Sequence, residues 1–139
     1  LPSPLSSSTA RRDVRWSGLD QDERRVRRRA LLVDAAFDLL GTDGAAATTV
    51  RAVCQKAELN ARYFYESFED IDALLIAVYD HVLAGLHAAM ATVAASPDMA
   101  PLMVARIGMD AIVRFIDEDR RRARILYVEA LSNAALNRH

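Results

Sequence analysis

Five arginines crowd into six positions, Arg24, Arg25, Arg27, Arg28 and Arg29, with Arg11, Arg12 and Arg15 shortly before them. A guanidinium presents a fixed fork of donors that suits phosphate, so such a run marks a polyanion-binding surface when a reading element stands beside it. Without one it is an ordinary solvated helix face. The stretch Arg62-Tyr63-Phe64-Tyr65-Glu66-Ser67-Phe68 supplies a candidate for that element. Arg reads guanine through paired hydrogen bonds in the major groove, and Tyr and Ser hydroxyls hold phosphates. The acids gather elsewhere, at Glu66, Glu69, Asp70, Asp72 and Asp80, so a net charge of −1 conceals a local cluster of arginines.

Other chemistries find little support. His81 and His87 are six apart and do not share a helical face, so no metal site is expected. No Ser, His and Asp set is recognisable and no carboxylates pair for general acid and base work, so no catalytic residue, cofactor or enzymatic activity is expected. The single cysteine, Cys54, has no internal disulfide partner and reads as a small buried hydrophobe. With no secretory signal at the N-terminus, a reducing cytoplasm is the expected location. The weakly polar stretch Leu83 to Ala95 is shorter than the roughly 20 residues of a bilayer span, and His87 interrupts it, so no membrane association is expected. Met90, Met103, Met109, Phe115 and Tyr127 form a candidate lining for an apolar ligand pocket, although such residues at helical spacing more often fill a core.

The elements that position these residues are helices. The 139 residues include 25 Ala and only 5 Gly and 4 Pro, and 17 of the 18 basic residues are Arg, a composition of strong helix formers that predicts an all-α fold. Residues 1–19 read as a disordered or basic leader, with Ser and Pro dominating the first ten. Asp20 and Glu23 have capping-box spacing and predict a first helix from Gln21 to Leu40, its apolar positions Val26, Leu32, Val33, Ala36, Leu39 and Leu40. Thr49 is expected to cap a short second helix ending near Ala57, and Asn60 a third after a four-residue turn. Phe68 closes the third helix and Asp70 opens a fourth, with a stripe of Ile71, Leu74, Leu75, Val78, Val82 and Leu86 running to about Ala95. Leu102, Ile107, Ile112, Val113 and Ile116 mark a fifth, and Ile125, Leu126, Val128 and Leu131 a sixth. The second and third together make a helix-turn-helix candidate.

From Leu32 to Asp80 the sequence resembles the N-terminal DNA-binding domain of tetracycline-repressor-type (TetR family) regulators. The resemblance rests on Ala35-Ala36, Gly44, Thr48-Thr49, Thr49-Val50-Arg51-Ala52-Val53-Cys54, the segment Arg62 to Phe68, and Ala73-Leu74. It implies a helix-turn-helix domain over residues 20–69 and part of a helical effector-binding and dimerisation domain over 70–139. Family members continue for several more helices. By resemblance, Thr49, Arg51 and Tyr65 contact the DNA backbone, Asn60, Ala61, Arg62, Tyr63 and Ser67 face the groove, and Arg28 and Arg29 supply an arm or rim contact. The implied partners are a palindromic double-stranded DNA operator, an unidentified small-molecule effector and a second copy of the chain. The implied function is a ligand-responsive transcriptional regulator, in particular a repressor. The alternative is a helical small-molecule-binding or protein-interaction module that does not read DNA.

Two positions depart from the family pattern. Glu58 stands where the turn usually has Gly, which predicts a positive φ at a residue with a side chain. Ile71 stands where the fourth helix usually opens with Lys or Arg. There it either costs the interface a phosphate contact or merely packs against the helix-turn-helix.

Overall fold

Helix α1, Ser6–Thr42, carries its apolar residues on one side of its C-terminal half, and Leu32, Val33, Ala35, Ala36 and Leu40 are all buried there. The computed structural model describes residues 6–94, 98–129, 131 and 138. The remaining elements are a single 3₁₀ turn at Ala45–Ala47, α2 (Val50–Ala57), α3 (Ala61–Ser67), α4 (Ile71–Ala94), α5 (Pro101–Glu118) and α6 (Arg120–Ala123). The last runs on as a wider π-type turn, Arg124–Glu129. Among the described residues there is no strand, as the composition predicts.

The first helix starts earlier than its capping signal suggests. Asp20 does not cap; it lies inside α1 and pairs with Arg24 one turn on, at 2.9 Å. Residues 6–19, read as leader, are drawn into the same helix. An acid three residues before another fits an N-terminus, but it fits an i,i+4 pair on a continuous helix equally well, and here Arg24 claims it. The residues that mark the sixth helix in the sequence fall outside its α-helical part, which ends at Ala123; Ile125, Leu126 and Val128 lie in the π-type turn that follows.

The other ends follow their chemistry. Thr49 Oγ1 accepts from Ala52 N at 3.1 Å, Asn60 Oδ1 from Tyr63 N at 3.2 Å, and Asp70 Oδ1 from Ala73 N at 2.8 Å. Each fills one of the donors that the first turn of a helix leaves unpaired. Between α1 and α2 the chain turns at Gly44, whose φ of 91° only glycine adopts without strain. Buried Thr48 fastens that turn by donating from Oγ1 to the Gly44 carbonyl at 2.8 Å.

One core joins the helix-turn-helix to the following helices. Val53 and Cys54 of α2, Phe64 of α3, Phe68 at its end, and Leu74, Leu75, Val78 and Val82 of α4 pack against the α1 face, and Phe115 and Ile125 join them. Phe64 is wholly enclosed, so truncating it to Ala would cost about 3–5 kcal/mol. By length and composition, Ile71–Val93 of α4 is long and apolar enough to cross a membrane, a longer apolar run than Leu83–Ala95. Its buried stripe, however, belongs to this core, while Asp72, Asp80, His81 and His87 on its other faces are exposed. On α5 the buried face differs from the expected stripe. Gly108 and Phe115 turn inward, while Leu102 and Val113 are 83% and 50% exposed. A helix apolar on more than one side does not say in its sequence which side a neighbour will cover.

Candidate nucleic-acid interface

The turn between α2 and α3 is built around Glu58, the one non-glycine residue with positive φ among those described, at φ 57° and ψ 39°. This left-handed step lets Leu59 N reach back to the Cys54 carbonyl at 3.0 Å, completing the end of α2 and redirecting the chain into Asn60. The predicted positive φ is therefore present. Cys54 lies beneath the turn, and burial pushes its thiol pKa up, as expected of an inert hydrophobe.

Seating α3 through Phe64 and Phe68, whose rings are 5.9 Å apart, leaves its opposite side to solvent. Asn60, Ala61, Arg62 and Tyr65 are exposed there, and Tyr63 and Ser67 are half-buried beside them. The phenol of Tyr65 stands edge-on against Phe64 at 5.2 Å, with more than half its surface open. Thr49 and Arg51 are exposed at the start of α2.

Arg28 and Arg29 lie against α3. The Arg28 guanidinium stacks 4.4 Å above the Tyr63 ring and lies 3.5 Å from Glu66 Oε2, while that of Arg29 covers Phe68 at 4.9 Å. On its other side Glu66 Oε1 lies 3.8 Å from Arg62 Nε, one turn back on α3. Glu66 was not among the expected site residues, although its i,i+4 spacing from Arg62 was visible in the sequence. A second cluster lies behind the site. Asp38 on α1 takes Lys56 of α2 on Oδ2 at 2.6 Å and Arg121 of α6 on Oδ1 at 2.9 Å. The hydrogen bond from Lys56 is the largest influence holding the Asp38 carboxyl below the usual range. Asp119, bound through two oxygens by Arg121, is lowered likewise. Nothing in the local sequence signals this junction, because its members come from three separate helices.

The five residues expected to line an effector pocket do not converge. Met90 and Met109 border an apolar cleft of about 270 Å³ between α4 and α5. Phe115 belongs to the core and edges a different cavity of about 430 Å³, with Phe37, His81 and Arg122. Met103 and Tyr127 line neither cavity and are 51% and 58% exposed. Apolar type and helical spacing do not fix direction, and the turn of α5 and α6 sends these side chains different ways. Among the described residues no group of three His, Cys, Asp or Glu side chains is placed to hold a metal ion.

This architecture has known counterparts. Residues 32–78 match the family described as bacterial regulatory proteins, tetR family, nearly the segment over which the sequence resembles it. A solved structure, that of a TetR-like transcriptional regulator from Rhodococcus sp. RHA1, superposes with a TM-score of 0.71 at 23% identity over 80% of this chain. The chain spans 60% of the length of that structure. No curated protein matches the sequence. Residues 32–78 are thus similar to the tetR-family domain, and the chain shares the fold of a TetR-like regulator.

Proposed function

We propose that this chain is a sequence-specific, DNA-binding transcriptional regulator that acts as a homodimer on a palindromic operator in the cytoplasm and responds to a small-molecule effector as a repressor. The observation that carries this reading is the presentation of α3. A helix seated by two aromatic rings on one side offers Asn60, Ala61, Arg62, Tyr63 and Ser67 on the other, behind a capped N-terminus. Such a helix fits the major groove, with Arg62 and Tyr63 at base edges. Thr49, Arg51 and Tyr65 flank it at positions suited to phosphate, and Arg28 and Arg29 border it from α1.

Effector control follows if a ligand binds the DNA-incompetent arrangement more tightly, since equal affinity for both arrangements shifts nothing. The cleft bordered by Met90 and Met109 is the apolar surface that best suits such a ligand. No catalytic role and no cofactor enter this reading.

Selection of bound duplexes from random-sequence DNA, followed by salt titration of the best, tests it. A palindromic site with steep salt dependence is expected. Indifference to both sequence and salt would replace this reading with that of a helical interaction or small-molecule-binding module.

A further inference from the structure

The groups behind the exposed side of α3 form a chain running from α1 to the tip of Arg62. The Arg28 side chain is only 24% exposed, its guanidinium stacked on Tyr63 and directed to Glu66. A phosphate-gripping arm would hold that group toward solvent. The Glu66 side chain, 30% exposed, is shared between Arg28 and Arg62, whereas that of Arg62 is 84% exposed and, among the described residues, pairs with Glu66 alone. The neighbouring Arg29, stacked over Phe68, fixes α1 against the far end of the same helix.

We propose that Arg28 and Glu66 are positioning residues for DNA sequence discrimination: Arg28 fixes Tyr63 and Glu66 from α1, and Glu66 tethers Arg62, so that both reading side chains are set before DNA arrives. The proposal rests on α3 being the DNA-reading helix. Its physical basis is preorganisation. A long, exposed Arg loses rotamer freedom when it docks on a base, and a tether that has already restricted it reduces that loss for the correct pose alone. Charge explains why an acid is tolerated on this face. A bare carboxylate would repel phosphate, but with Arg28 and Arg62 beside it the three side chains sum to one positive charge.

The test compares wild type with Arg28→Gln, Arg28→Lys and Glu66→Gln. Each is titrated with salt on the duplex that wild type selects from random DNA, on its single-base variants, and on an unrelated duplex. Arg28→Gln should lower discrimination at the bases read by Arg62 and Tyr63 by about fivefold or more, with the salt slope little changed. Arg28→Lys should not restore discrimination, because an ammonium cannot reproduce the planar stack on Tyr63. Glu66→Gln should lose discrimination yet bind the unrelated duplex more tightly, since a negative charge has left the interface.

A fall of about 0.9 in slope per subunit for Arg28→Gln, with base preference intact, would make Arg28 a phosphate contact and overturn the proposal. Wild-type base preference in both Arg28→Gln and Glu66→Gln, with only the melting temperature lowered, would make the cluster purely structural and overturn it too. If wild type itself selects no sequence, the reading of α3 fails before any substitution is made, and the positioning role falls with it.

Discussion

Arg121 Nη1 lies 2.9 Å from Asp38 Oδ1, an ion pair that closes 83 positions of sequence and ties α6 to α1. The Asp38 carboxyl is held below its ordinary range by Lys56 and then by Arg121, and that of Asp119 by Arg121. A carboxyl whose folded pKa is depressed adds stability that is present above its unfolded value, about 3.9, and lost as pH falls through the folded value. Thermal stability should therefore drop below about pH 4, and less steeply in Asp38→Asn with Asp119→Asn. The partners of Asp38 are more than a third exposed, so solvent screening limits the loss in Asp38→Asn at neutral pH to about 1 kcal/mol. Melting curves across pH check both statements. A double variant with the wild-type acid profile would show that other carboxylates dominate.

Gly41 marks how closely α6 approaches α1. A Cβ there would lie 2.5 Å from the Cβ of Arg121 and 3.2 Å from its Cα, neither of which is the free end of a flexible side chain. Gly→Ala inside a helix ordinarily gains up to about 1 kcal/mol, but overpacking typically costs about 1–3 kcal/mol. Gly41→Ala should therefore destabilise despite its better helix propensity. A higher melting temperature for this variant would mean that α6 does not sit so close.

At Glu58 the balance runs the other way. A left-handed backbone strains a residue with a Cβ by about 1–2 kcal/mol, more than the extra unfolded-state entropy of glycine. Glu58→Gly should match or exceed wild type in chemical denaturation, and Glu58→Val should lose more than about 1 kcal/mol because a β-branched residue resists this conformation. A clear loss for the glycine variant would contradict the strain.

On DNA, Arg62→Ala should cost about 1–3 kcal/mol per half-site and relax preference at one position. Tyr65→Phe removes a hydroxyl suited to phosphate and should weaken all sequences alike. Affinities on a panel of single-base variants separate the two patterns, and an unchanged preference for Arg62→Ala removes it from the reading set.

Ile71 is half-buried and packs against the core at the first position of α4. Placing Lys there removes that packing and sets a cation at the positive end of a helix, so Ile71→Lys should lose about 1 kcal/mol of stability. If packing is its whole role, the slope of log affinity against log salt should not change. A slope steeper by about 0.9 per subunit with intact folding would instead place the start of α4 at the phosphates.

Local chemistry was legible without coordinates. Thr49, Asn60 and Asp70 act as caps because a short side-chain oxygen reaches an unpaired N–H within one turn, an event confined to four residues. Positive φ at Glu58 was expected because the family it resembles usually places Gly at this turn, and the aromatic spacing of Phe64 and Phe68 indicated which side of α3 would be buried. Leu74, Leu75, Val78 and Val82 declared the inward face of α4 by their period alone. What the tertiary structure decided was partner choice. Asp20 could have capped a helix or paired within one, and Arg28 could have faced solvent or Tyr63. Met103 and Tyr127 could have faced a cavity or water, and only the packing of helices distant in sequence selects among such options. The Lys56–Asp38–Arg121 junction has no local signature for the same reason: its charges meet because α2 and α6 both pack on α1, an arrangement fixed by burial of the shared core rather than by the charges themselves.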